Sequence, residues 1–180
     1  MNQSYGWVGK ILWVNLTDRT TRVLSTPDYG PHYIGGRGIA SRIAWKELSP
    51  GIGPFDPENL LFLMVGPLTG TLASGGGRVV VAGIAPQQKP SVFSRSSMGG
   101  HWGAELKFAG YDGIVVQGAA SAPCYLLIED ERVTLEDARD LWGKGVYATQ
   151  QHLKARHTAQ HQIAAIGPAG ENRVRFASIL

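Results

Sequence analysis

The sequence predicts an α+β domain, rich in strands, spanning residues 1–180 as one unit. Three observations carry that prediction. Twenty-four glycines and ten prolines fall without a fixed period, which marks many turns between short elements and not a collagen or a linker. Short runs of Val, Ile, Leu and Thr stand between those turns, the residue types that suit a pleated, half-buried surface. Helical stretches mix with these runs without the strict alternation of a doubly wound fold. The chain is 43% apolar, too hydrophobic for disorder, and long enough to bury a core.

In order, residues 10–16 and 20–24 predict a hairpin turned by Thr17-Asp18-Arg19. Residues 32–34 read as extended. Gly35-Gly36-Arg37-Gly38 is a glycine turn opening a helix over 38–48, with Ile39, Ile43 and Leu48 on one face. Ser49-Pro50-Gly51 ends it, and 52–59 is a loop. Residues 60–65 are continuously apolar, a strand expected to be buried on both faces. Gly66-Pro67 breaks it. Residues 68–77 form a long loop of small residues, a kind often functional. It ends in Gly75-Gly76-Gly77-Arg78 and enters a strand at 79–82. A polar turn at 86–90 and a short strand at 91–93 follow.

Residues 99–113, GGHWGAELKFAGYDG, are the centre of this reading. A glycine pair leads into about two helical turns that stop at Gly110, a residue suited to a left-handed helix end. Ala104, Leu106 and Phe108 are good helix or core residues, and Glu105 and Lys107 mark the wet side. A strand at 114–116 follows. A glycine turn feeding a helix N-terminus presents unpaired N–H groups and partial positive charge. Arg78, behind its own glycines, adds a guanidinium that can fork onto a phosphate. Two readings stand: the two turns hold a phosphate-bearing cofactor, or they are tight connections. Arg37 and Arg95 are further anion donors if they converge on the same place, and His101 is either a donor or simply exposed.

Residues 123–128 and 132–135 predict a second hairpin around Glu129-Asp130-Glu131. A turn at 140–144 precedes a helix over 146–156 with Tyr147 and Leu153 facing inward. Strands are expected at 162–166, stopped by Gly167-Pro168-Ala169-Gly170, and from 174 to the end. A hairpin followed by a helix thus occurs twice, a loose internal echo.

Other chemistries are poorly supported. Net charge is +3 with dispersed Lys and Arg, so no nucleic-acid surface is indicated. No P-loop and no dinucleotide fingerprint is present. His152, His157 and His161 do not share one helix face, against a metal site. Cys124 is the only cysteine and is read as a small core residue. It excludes an internal disulfide, a CxxC zinc site and a self-contained iron–sulfur cluster. The N-terminal residues lack a secretion signal, and no apolar run approaches the ~20 residues of a membrane span. A soluble cytoplasmic protein is expected. The chain stops in apolar residues, so a domain cut from something longer, or a truncated frame, is expected too.

These stretches together resemble the N-terminal domain of the aldehyde ferredoxin oxidoreductase family. The resemblance runs from Gly6-Trp7-Val8-Gly9-Lys10-Ile11-Leu12 through Ile34-Gly35-Gly36-Arg37-Gly38 and Pro57-Glu58-Asn59. It continues through Gly66-Pro67-Leu68-Thr69-Gly70-Thr71, Gly77-Arg78 and, most strongly, residues 99–112. It closes on Leu141-Trp142-Gly143-Lys144 and Ile166-Gly167-Pro168-Ala169-Gly170-Glu171-Asn172. The resemblance implies two related sheet-containing halves forming a saddle for a tungsten (or molybdenum) bis-pterin. It implies oxidation of aldehydes to carboxylic acids, with a [4Fe–4S] cluster passing electrons to ferredoxin. Carried over, Arg78 contacts cofactor phosphate, and Ser97, Met98, Gly99 and Gly100 line the pterin. The main-chain carbonyl of Ser97 reaches a magnesium bridging the two phosphates. Several relatives carry Asn-Ser where this chain has Ser97-Met98, so the magnesium contact survives only through the main chain. The cluster cysteines lie beyond this chain, in the remaining domains or a partner subunit. Self-association through the uncovered faces is expected. The alternative to part of an enzyme is a non-catalytic cofactor-binding or assembly module, or an inactive remnant.

Overall fold

The computed structural model describes residues 5–180. Residues 1–4, on which the expectation about a secretion signal falls, lie outside them. A six-stranded mixed sheet in the order β2-β1-β6-β3-β4-β5 is accompanied by a separate two-stranded sheet, β7-β8. The α+β class is as predicted. The two sheet-containing parts are of unequal size, six strands against two, and each hairpin that leads its part is followed by helix.

Strands β1 (Lys10–Asn15) and β2 (Thr20–Ser25) form the first hairpin, with Lys10 opposite Ser25 and Asn15 opposite Thr20. Its turn is fixed by the Asn15 side chain, whose Oδ1 accepts from the backbone N–H of Thr17 and Asp18 at 2.9 and 3.2 Å. The next segment departs from the prediction. Residues 32–34 are not extended: Gly30–Tyr33 form a short helix, α1, with Pro31 in its first turn. Proline presets the helical φ there and the N–H it lacks is not needed. Helix α2 (Gly36–Glu47) buries Ile39, Ala40, Ile43 and Ala44, and Leu48 packs beside them. Strand β3 (Leu60–Met64) is buried except at Leu61, which is 38% exposed and lines a cavity instead of meeting core.

Strands β4 (Val79–Ala85) and β5 (Val92–Met98) pair over their full length, Val79 opposite Met98 and Ala85 opposite Val92. The sequence reading ended the second of them at Phe93, because Ser94-Arg95-Ser96-Ser97 has little intrinsic strand preference. Pairing to β4 overrides that preference. Its polar, exposed residues suit the outermost position in the sheet. Helix α3 (Trp102–Phe108) leads to β6 (Gly113–Gln117), which inserts between β1, to which it runs parallel, and β3. The second hairpin is β7 (Cys124–Glu129) and β8 (Arg132–Asp137), followed by α4 (Val146–Arg156) and the single-turn α5 (Pro168–Glu171).

The inner strands of the sheet are buried on both faces, which explains their unbroken apolar runs. Along β1, Ile11 and Trp13 join Phe62, Met64 and Val115 under α2. Leu12 and Val14 join Leu63, Ile114 and Leu106 on the α3 side, where the second hairpin adds Leu126 and Ile128. Each fully buried side chain of this kind contributes roughly 1.5–3 kcal/mol.

Three further expectations are corrected. In α3 the buried positions are Gly103, Leu106 and Lys107, the i, i+3, i+4 set of a helix face. Lys107, expected on the wet side, is thus buried, and of the helix or core residues 104, 106 and 108, spaced with the period of a strand, Phe108 is 65% exposed. In α4, Leu153 is buried but Tyr147 is 83% exposed. Residues 162–166 and 174–180 form no strand. Ala165 and Leu180 exchange a single pair of backbone bonds, at 2.8 and 3.0 Å, and the pairing goes no further. No helix among the described residues is long and apolar enough to cross a membrane.

Lys107 and Asp112 form the lock of the central stretch. Asp112, with no exposed surface, accepts from the N–H of Val8 and Gly9 at 3.0 and 2.7 Å and from Thr26 Oγ1 at 2.8 Å. Lys107 Nζ lies 3.8 Å from Asp112 Oδ1. It donates to the carbonyls of Gly6, Gly66 and Pro67, the last two at 3.2 and 3.3 Å. Burial pushes the Lys107 pKa down, and the nearby Asp112 carboxylate opposes that shift.

Candidate functional site

The antiparallel register of β4 and β5 decides which predicted residues meet. Since Val79 faces Met98, the residue before β4, Arg78, lies beside the residue after β5, Gly99. The glycines on either side close the same corner: a Cβ on Gly77 would sit 3.7 Å from the carbonyl oxygen of Gly100. No atom lies within 4 Å of where a Cβ of Gly99 or Gly100 would be, and Gly100 has φ +88°. The corner is therefore open backbone, accessible to a ligand that side chains would otherwise keep away. Arg78 is exposed, and no hydrogen bond or ion pair occupies its guanidinium among the described residues.

Ser97 is exposed and shares a sheet face with Val80, its cross-strand neighbour. Met98 points the other way and packs with the core beneath the sheet, so only its main chain belongs to the corner. As the outermost strand, β5 leaves half its peptide groups without a ladder partner. His101 precedes α3, is exposed and makes no capping bond. With seven residues, α3 supplies little macrodipole, so the positive character of the corner rests on Arg78 and on free N–H groups.

The loop that presents Arg78 is folded on itself. Thr69 is 2% exposed. Its Oγ1 accepts from Gly66 N–H at 3.1 Å and donates to the Gly76 carbonyl at 2.7 Å. Gly76 lies so close to the start of the loop that a Cβ would sit 2.7 Å from the Leu68 carbonyl oxygen. Lys107 holds that same start from below.

Arg37 and Arg95 share a cavity that Arg78 does not line. With Ser41, Phe93 and Ser94 they line a cavity of about 260 Å³ between α2 and the β4–β5 ladder. A larger, mainly apolar cavity of about 820 Å³ lies on the opposite side of the sheet, between it, α3 and the second hairpin. Cys124 lines it, half-buried and free, its thiol pKa pushed up by burial. The rings of His157 and His161 lie 5.5 Å apart, but the three histidines have different hydrogen-bond partners. His157 Nε2 lies 2.9 Å from Tyr125 Oη, His161 Nδ1 lies 2.8 Å from Thr158 Oγ1, and His152 pairs with Asp140 at 3.1 Å. No group of three His, Cys, Asp or Glu side chains among the described residues is placed to hold a metal ion.

A family model described as "Aldehyde ferredoxin oxidoreductase, N-terminal domain" matches residues 11–180. The chain belongs to the aldehyde ferredoxin oxidoreductase family. It is 45% identical over 178 residues to a tungsten-containing aldehyde ferredoxin oxidoreductase of Pyrococcus abyssi, covering 98% of this chain and 29% of the relative. The corresponding protein of Pyrococcus furiosus is 41% identical with the same coverage. A more distant relative from that organism, 35% identical, is named an aliphatic sulfonate oxidoreductase, WOR-like subunit. Among solved structures, the active-site complex BamBC of benzoyl coenzyme A reductase, in complex with 1,5-dienoyl-CoA, superposes with a TM-score of 0.94 at 41% identity. That match covers 98% of this chain and 27% of the other. The chain thus spans about 29% of the length of the curated relatives it matches.

Three residues that organise the corner escaped the sequence reading: Thr69, Lys107 and Asp112. Lys107 was legible from helical spacing with Gly103 and Leu106. Thr69 follows Gly66-Pro67 at the offset where a hydroxyl closes a local turn. Asp112 carried no local signal, because its partners are about a hundred residues away.

Proposed function

We propose that this chain is the platform on which the pterin cofactor of an aldehyde-oxidising tungsten (or molybdenum) enzyme rests, through the corner of Arg78, Ser97, Gly99 and Gly100. The observation that carries the reading is a guanidinium without a partner among the described residues, beside open glycine backbone at the end of the β4–β5 ladder. That donor set suits a phosphate: a charge that persists at any physiological pH, a planar fork, and N–H groups no side chain shields. When bound, the metal–pterin group supplies the redox chemistry, and the protein supplies binding, orientation and electrostatics.

Arg78 holds the phosphate, and Gly99 and Gly100 let the pterin approach the main chain. The Ser97 carbonyl, on the outermost strand, would be a ligand for a magnesium ion accompanying the cofactor phosphate. Met98 contributes main chain only. A [4Fe–4S] cluster and the docking of ferredoxin belong to the remaining domains or a partner subunit, since one cysteine cannot ligate a cluster. Exposed Trp45, Phe108, Trp142 and Phe176 are surfaces for those domains or a second copy to cover. Four curated relatives named aldehyde ferredoxin oxidoreductases favour an aldehyde as substrate. The benzoyl coenzyme A reductase neighbour supports a second reading, in which the same platform serves a different redox substrate.

The test is metal content by mass spectrometry, with circular dichroism, on the full-length enzyme. Removing charge-assisted bonds of about 1.5–3 kcal/mol each weakens binding roughly 10–100-fold. Arg78→Ala is expected to lose metal and keep its fold, and Arg78→Lys to recover part of it. Full metal content in Arg78→Ala removes Arg78 from the site.

A further inference from the structure

We infer that Thr69 is a positioning residue for Arg78, fixing the guanidinium at the cofactor corner without touching the cofactor. The inference rests on the proposed role of Arg78 and extends it to a buried residue of the loop that leads to it.

Arg78 sits at the end of a loop that begins at Gly66, and a loop of that length is ordinarily mobile. Two things hold its far end. On one side Val79, with no exposed surface, anchors the chain in the ladder opposite Met98. On the other side the Gly76 carbonyl is bonded to Thr69 Oγ1 at 2.7 Å. Only Gly77 separates that carbonyl's residue from Arg78. The same hydroxyl accepts from Gly66 N–H at 3.1 Å. One side chain therefore ties the first residue of the loop to its last turn.

The tie has a fixed base. Gly66 and Pro67 carbonyls accept from buried Lys107 on α3, and Thr69 Cγ2 faces Gly103 of the same helix, 3.3 Å from where its Cβ would be. The position of Arg78 is thus referred to the helix that follows Gly99 and Gly100. Both sides of the corner share one support. Thr69 is almost fully buried, so it acts through the loop and not by reaching a ligand.

Thr69→Val keeps the shape and removes the hydroxyl, leaving Gly66 N–H and the Gly76 carbonyl without that partner. The prediction is read in the full-length enzyme as metal and pterin content per protein, in wild type, Thr69→Val, Thr69→Ser, Arg78→Ala and the double variant Thr69→Val/Arg78→Ala. Loss of these bonds corresponds to roughly five- to tenfold weaker retention of cofactor. Thr69→Val is expected to lose cofactor by that factor with its circular dichroism unchanged, and Thr69→Ser to retain it. The double variant is expected to be no worse than Arg78→Ala alone, since a residue acting through Arg78 has nothing left to act on.

Additive losses, or full content in Thr69→Val, overturn the inference. If Thr69→Val does not fold, Thr69→Ser carries the test, and loss of cofactor there overturns it. Full content in Arg78→Ala is a different failure: it removes the proposed site itself, and the positioning role falls with it.

Discussion

Asp112→Asn changes one atom and should cost about as much stability as any single change in this chain. The carboxylate has no exposed surface and accepts three bonds, from Val8 N–H on Oδ1 and from Gly9 N–H and Thr26 Oγ1 on Oδ2. An asparagine oxygen can serve one of these positions. Its amide group then presents N–H to donors at the other, so at least one of these part-buried N–H groups loses its acceptor. Lys107 Nζ, 3.8 Å away and 7% exposed as a side chain, also loses its countercharge. Hydrogen bonds to a charged group contribute about 1.5–3 kcal/mol each, and breaking a buried pair costs about 3–5 kcal/mol. These overlap, so about 3–5 kcal/mol is expected, against a total stability of about 5–15 kcal/mol for an ordinary domain. Urea unfolding followed by tryptophan fluorescence measures it, as a lower midpoint with unchanged slope. Lys107→Met should be damaging too, and the double variant Lys107→Met/Asp112→Asn less damaging than the sum, because each single change strands the other's charge or donor. A loss below about 1 kcal/mol in Asp112→Asn, or strict additivity in the pair, contradicts the idea of an electrostatic lock.

Gly103→Ala should lower the unfolding midpoint although alanine favours helices. Its Cβ would lie 2.7 Å from Val79 Cγ2, with Thr69 Cγ2 and Val65 Cγ1 at 3.3 Å, and overpacking of about 1–3 kcal/mol exceeds a propensity gain of about 1 kcal/mol; a raised midpoint would show that α3 can lift off the sheet freely. Asp137 offers a pH signature. The side-chain bonds from Arg139 hold its carboxyl at about 2 instead of 3.8, so the folded state binds this proton less readily than the unfolded one. The stabilisation is present above about 3.8 and is lost as pH falls toward about 2. Arg139→Gln should return the Asp137 midpoint, followed by carboxyl NMR, toward 3.8; an unchanged midpoint refutes the assignment to Arg139.

Most of the fold was legible where one local pattern decided it. The first hairpin, α2 and the paired apolar strands follow from β-branched runs, glycine punctuation and helical spacing. The strand through Ser94-Arg95-Ser96-Ser97 was not, since its only support is the β4 partner. Phe108 was misplaced because 104, 106 and 108 follow the period of a strand within a helix, and Tyr147 because the inward face of α4 is set by Thr149 and Leu153, from which it points away. At the site, the family motifs pointed to Arg78 and Ser97–Gly100, and the β4–β5 register brings Arg78 beside Gly99. Arg37 and Arg95 looked like equal partners of Arg78 along the chain, yet they share a separate cavity, because α2 packs over the middle of the ladder and not its end. The Lys107–Asp112 lock depends on partners brought from three distant segments, which no window of sequence contains.

The most direct measurement is a crystal structure of the full-length enzyme with its metal located by anomalous scattering at the tungsten or molybdenum edge. The expected result is a pterin phosphate within hydrogen-bonding distance of the Arg78 guanidinium, and the pterin lying along Gly99 and Gly100. Cofactor density elsewhere, for instance against Arg37 and Arg95, with Arg78 free in solvent, would contradict the platform proposed for this chain.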